Sequence, residues 1–166
     1  ALEEVSISGI TSAAKTTSVI IIDDSPSMAV IGKSGSYLNQ AKAAAMSVVN
    51  RMKEGDETAV IFLSDLFGDA PALISSTDEL KKQIENAEVT AVSGTLEAGI
   101  GKAAQLLGES RNFNKELYIF SDFQKSRLDL SGTPANYAAQ LKDQIRVFLL
   151  QPEAASVTNA SVSSLQ

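Results

Sequence analysis

Four short apolar runs punctuate the chain: Ser18–Ile22 (SVIII), Thr58–Leu63 (TAVIFL), Leu117–Phe120 (LYIF) and Ile145–Leu150 (IRVFLL), the last closed by Pro152. They are too apolar for solvated loops and read as buried strands. Between the first two, Leu38, Ala41, Ala44, Ala45, Val48, Val49 and Met52 recur at helical spacing from Tyr37 to Met52, and Gly55-Asp56 closes that helix. Thr77-Asp78-Glu79 opens a second helix through Ala87, with acids at its positive end. A third runs from Leu96 to Leu107 with Leu96, Ile100, Ala103, Ala104 and Leu107 on one face, and a fourth is expected over Ala135–Lys142. The stretch PALISS carries a leading Pro, as an edge strand or a loop would. This alternation predicts a Rossmann-like three-layer α/β/α sandwich, its central sheet mostly parallel with a short antiparallel edge strand. Residues 1–16 form a lead-in, 17–152 one domain, and 153–166 a linker or the start of a following domain.

Composition narrows the chemistry. The 166 residues hold 14 Lys and Arg against 20 Asp and Glu, a net charge of −6 with no basic cluster, which argues against a nucleic-acid partner or an anionic membrane. There is no Cys and no His, so disulfides, thiolate metal sites, thiol catalysis and Ser-His-Asp triads are excluded. A metal bound here must favour oxygen: Mg²⁺, Mn²⁺ or Ca²⁺. No apolar stretch is long enough to span a bilayer, so direct membrane insertion is not expected. A first residue other than Met suggests a piece excised from a larger protein.

In an open parallel sheet, ligands bind beyond the carboxyl ends of the strands. Asp23, Asp24, Ser25 and Ser27 follow the first strand, Ser64 and Asp65 the second, Ser121 and Asp122 the third, while Ser93-Gly94-Thr95 opens a helix. In a turn, the spacing Asp23-x-Ser25-x-Ser27 can aim one carboxylate and two hydroxyls at a single hard cation. Neutral hydroxyl ligands leave such an ion with charge to attract an outside anion. The same residues have a plainer use: Ser25 and Ser27 can cap the next turn while Asp23 bonds backbone amides.

With SGT opening a helix and IFSD ending a later strand, DDSPSM resembles the von Willebrand factor type A domain with its metal-ion-dependent adhesion site, over about Thr17 to Leu150. The resemblance implies that Asp23, Ser25, Ser27, Thr95 and Asp122 hold Mg²⁺, or Mn²⁺ or Ca²⁺, directly or through water. A carboxylate from a partner protein with an exposed Asp or Glu then completes the shell. YIFSDFQKS, with Gln124 where many members have Gly after the Asp, is similar to bacterial membrane-anchored members of the aerotolerance type, which implies an extracytoplasmic domain of an anchored protein. Around the site, Asp24 is expected to cap or stay solvated, and Ser121 to bond nearby backbone or Asp23. Gly94 is expected to let the backbone approach the ion, and Met28 to pack or to rim the ligand. Phe62, Phe67, Phe120 and Phe148 are expected in the core.

The function so implied is non-catalytic: a cation-dependent protein-binding, adhesion or scaffolding module. Two readings compete with it. One is a structural module whose metal site no longer works. The other is a response-regulator receiver domain phosphorylated at Asp65, with Thr95 and Lys115 in support, although Thr95 opens a helix and Lys115 precedes a strand where a receiver has the reverse. A serine hydrolase would need a G-x-S-x-G elbow and a His, both absent from the sequence.

Overall fold

The computed structural model describes residues 14–124 and 145–155. Strands β1 (Thr16–Ile22), β4 (Glu57–Phe62), β5 (Asn114–Phe120) and β6 (Ile145–Leu150) form one sheet in the order β4-β1-β5-β6, every neighbour parallel. A two-residue hairpin, β2 (Ile31–Gly32) with β3 (Gly35–Ser36), stands apart from it. Helix α1 (Tyr37–Asn50) follows the hairpin, α2 (Thr77–Glu85) follows β4, and α3 (Leu96–Glu109) precedes β5. The helix expected over Ala135–Lys142 lies outside the described residues.

The layering follows from the strand's period of two. Ile20 and Ile22 of β1 turn to one face, where Leu38, Ala45 and Val49 of α1 and Leu80 and Ile84 of α2 cover them. Val19 and Ile21 turn to the other, against Leu96, Ile100, Ala103 and Leu107 of α3. All four β1 residues are fully buried, as the middle layer of a three-layer α/β/α sandwich requires. Each helix opens on a hydroxyl cap: Ser36 Oγ accepts from Asn39 N, Ser76 Oγ from Glu79 N and Thr95 Oγ1 from Ala98 N.

The structure sharpens one expectation and changes two. The PALISS stretch supplies a single antiparallel bridge, Ile74 pairing with Thr58 through two backbone hydrogen bonds, and Pro71 precedes it without joining the ladder. β5 begins three residues earlier than its apolar run, because Asn114, Lys115 and Glu116 pair in register with Thr16, Thr17 and Ser18 by backbone alone. Of the four phenylalanines, Phe120 is buried and Phe62 packs partly buried against the same core cluster, but Phe67 is 82% exposed on the loop after β4 and Phe148 is exposed on β6, which pairs only with β5 among the described strands.

Past β6, residues 151–155 return to the hairpin. Glu153 N donates to Gln40 Oε1 at 2.8 Å, and Glu153 O accepts from Gln40 Nε2 at 3.0 Å and from Lys33 N at 3.0 Å. The Gln40 amide thus pairs with the Glu153 backbone as another strand would. Gly32 is needed there, since a Cβ on it would stand 2.2 Å from Glu153 O.

Candidate metal centre

Asp23 is the first residue beyond β1, and its own N–H still donates to Phe120 O at 2.9 Å, so the carboxylate is fixed to the sheet rather than to a loop. It is 7% exposed. Oδ1 accepts from Ser25 N at 2.9 Å, and Oδ2 accepts from Ser121 Oγ at 2.5 Å across the end of the neighbouring strand. Ser121 therefore does what was expected of it, orienting Asp23 while also accepting from Phe123 N at 3.0 Å.

Ser25 begins the 3-10 turn Pro26–Ala29 in the cap position, yet its hydroxyl makes no capping bond. It faces Ser27 Oγ at 3.2 Å instead. An octahedral Mg²⁺ with ligands at about 2.1 Å sets neighbouring ligand atoms about 3 Å apart, so this hydroxyl pair has the spacing of two adjacent ligands. The donor set, two neutral hydroxyls above a buried carboxylate, suits a hard cation. Half of the plainer reading also holds, because Asp23 Oδ1 does bond the Ser25 amide.

Asp122 follows Ser121, half-buried, with Oδ1 accepting from Gln124 N at 3.3 Å. Thr95 is exposed at the start of α3, and its hydroxyl oxygen caps that helix. The Asp23–Ser27 loop is thus assembled by direct bonds and Asp122 is brought beside it through Ser121. Thr95 shares the same edge of the sheet through its loop: Gly94 N donates to Leu63 O at 2.6 Å and Thr90 N to Asp24 O at 2.8 Å. Among the described residues no three of Asp, Glu, His or Cys gather closely enough to hold a metal, so a cation here depends on the hydroxyls.

Several neighbours differ from expectation. Asp24 is neither a cap nor solvated: it is 3% exposed, accepts from Ser64 N at 3.0 Å and takes a second bond from Ser64 Oγ. Burial pushes its carboxyl above the usual range, the Ser64 bonds pull it back, and Asp23 beside it raises it further. No pattern in the sequence signalled this, because the partner Ser64 lies forty residues away. Gly94 lets the backbone lie close against the neighbouring loop, since a Cβ on it would lie 2.5 Å from Leu66 Cδ1 and 3.1 Å from Leu63 O. Met28 is fully buried and packs in the core. The left-handed backbone that glycine favours falls at Phe123, directly after Asp122, with φ of 56°.

A parallel sheet covered on both faces, with carboxylates and hydroxyls beyond its carboxyl edge, defines an α/β domain of Rossmann type. Within that class the chain belongs to the von Willebrand factor type A domain family, whose sequence profile matches residues 18–124. No curated protein matches the chain. Among solved structures it is similar to an aerotolerance-related membrane protein from Bacteroides fragilis, with 20% identity over 82% of this chain and 67% of that one and a TM-score of 0.65. BatB from Bacteroides thetaiotaomicron is similar over 82% of this chain and 66% of its own, with 19% identity and a TM-score of 0.64. The PilB minor pilin from Streptococcus sanguinis follows at 12% identity over 66% and 30%, with a TM-score of 0.53. The chain thus spans about two thirds of each Bacteroides protein.

Proposed function

We propose that this domain is a divalent-cation-dependent protein-binding module without catalytic activity. Asp23, Ser25, Ser27, Thr95 and Asp122 would hold Mg²⁺, with Mn²⁺ or Ca²⁺ as alternatives. The observation that carries this is the uncapped Ser25 hydroxyl set 3.2 Å from Ser27 Oγ over an anchored Asp23. When bound, the cation supplies uncancelled positive charge for a partner's Asp or Glu. Asp23 is oriented by Ser121 and shielded from water, which keeps the carboxylate in place before any ion arrives. With no His in the sequence, and with the Ser25 and Ser27 hydroxyls facing each other rather than a carboxylate, these hydroxyls serve better as ligands than as nucleophiles.

The receiver alternative loses its geometry. Lys115 pairs with Thr17 and Ile145 at the start of the sheet, whereas Asp65 follows β4 at the opposite edge, and Thr95 caps a helix. Location in an extracytoplasmic, membrane-anchored protein is supported only by likeness to a membrane protein; among the described residues no helix is long and apolar enough to cross a membrane.

Calorimetric titration with Mg²⁺ and Mn²⁺ of the wild type, Asp122→Ala and Asp65→Ala tests the proposal. Loss of binding in Asp122→Ala with retention in Asp65→Ala is expected. Loss in Asp65→Ala alone would return attention to a receiver. A wild type that binds no cation, with or without a carboxylate peptide, would leave a structural module.

A further inference from the structure

A groove of about 650 Å³ opens one residue from the candidate ion, between the end of β4, the loop after it and α2. Its floor is apolar, with Phe62 and Ile74 among the lining side chains. Its rim is acidic: Asp65, Asp69, Glu79 and Glu88, all exposed, surround it, and buried Asp24 closes its inner end. Against these five carboxylates the lining offers one cation, Lys102. Asp24 sits in the chain between Asp23 and Ser25, so groove and metal loop share a wall.

We propose that this groove receives a lysine or arginine side chain of the same partner whose carboxylate completes the metal shell, so that the recognised segment carries an acid and a base a few residues apart. The inference rests on the proposed binding mode and gives its partner a second chemical requirement. An aliphatic stem over an apolar floor with a charged head among carboxylates is how Lys and Arg divide their two natures. A second metal ion is the poorer occupant, because the rim acids stand apart and no three described carboxylates converge. Charge complementarity of this exposed kind steers encounter and selects partners, and weakens with salt.

The test uses the full chain and capped peptides with one Glu and one Arg joined by short glycine spacers, each beside a twin with neutral citrulline for Arg. Binding with Mg²⁺ is followed by backbone amide shifts. The Arg peptide is expected to bind about two- to fivefold more tightly than its twin at low salt, with shifts at residues 65–69 and 86–90, and Asp69→Asn/Glu79→Gln should erase the difference. Equal affinities overturn the proposal, as does a groove that responds to Ca²⁺ alone and not to Arg. Chelation separates the two readings. If EDTA abolishes all peptide binding while the twins are equal, the groove reading fails and the metal stands; if Arg-dependent shifts survive EDTA and Mg²⁺ leaves the affinity of both twins unchanged, the groove stands and the metal reading fails.

Discussion

Ser121 holds Asp23 by a 2.5 Å bond from its hydroxyl, and both residues are buried. Removing that hydroxyl leaves a buried carboxylate oxygen short of a donor, which costs about 1–3 kcal/mol. Ser121→Ala is therefore expected to lower stability by that amount in urea denaturation. Because partners that orient ligands typically contribute 10–100-fold in metal affinity, Mg²⁺ binding of Ser121→Ala should weaken by about that factor in calorimetry. At the opposite end of the sheet, Tyr118 donates to Glu116 Oε2 at 2.6 Å, and Arg146 donates to Glu116 Oε1 at 2.8 Å. Burial first, then the Glu116 bond and charge, push the phenol up to about 12. Since folding favours the neutral phenol, its contribution is complete below pH 10 and is lost as pH rises towards 12. Tyrosinate absorbance should show a phase near pH 12, and Tyr118→Phe should remove both that phase and the alkaline loss of stability.

Among elements, α3 offers a paired test of two glycines. Gly94 just before it has no room for a Cβ, whereas Gly101 within it has nothing within 4 Å. Gly94→Ala should destabilise by about 1–3 kcal/mol through overpacking against Leu63 and Leu66, while Gly101→Ala should stabilise by about 0.5–1 kcal/mol through helix propensity. Thermal melts of the two variants should therefore shift in opposite directions. The apolar patterning located β1, β4 and α1–α3 nearly to the residue, because burial on both faces of a sheet and on one stripe of a helix leaves clear periods; β6 was located by its apolar run alone, and its Val147, Phe148, Leu149 and Leu150 are exposed among the described residues. It could not locate the hairpin β2–β3, whose pairing rests on Gly32 and Gly35 and on backbone bonds. Phe67 misled for the converse reason: an aromatic residue suggests burial, but position in a loop decides it. Asp122 and the Asp23–Ser27 turn were readable as residue types at strand ends, and Thr95 as the residue that opens a helix. The role of Asp24 was not, because it depends on Ser64, forty residues away.

For the whole molecule, a parallel sheet gathers the loops after β1, β4 and β5 at one edge, and the chain also passes that edge on its way out. Residue 153 is bonded to Lys33 and Gln40, next to the hairpin that continues the Asp23–Ser27 turn, and Ser121 N donates to Leu150 O at 3.3 Å. Gly32→Ala, which would push a Cβ into Glu153 O, should free residues 151–155; faster amide exchange at Glu153 with β5 unchanged would be the sign. A force applied between the carboxyl edge and residue 155 would meet the Gln40–Glu153 clasp within a few residues. Under such a pull the clasp is expected to open before the β1–β5 ladder, as a mechanical fuse does.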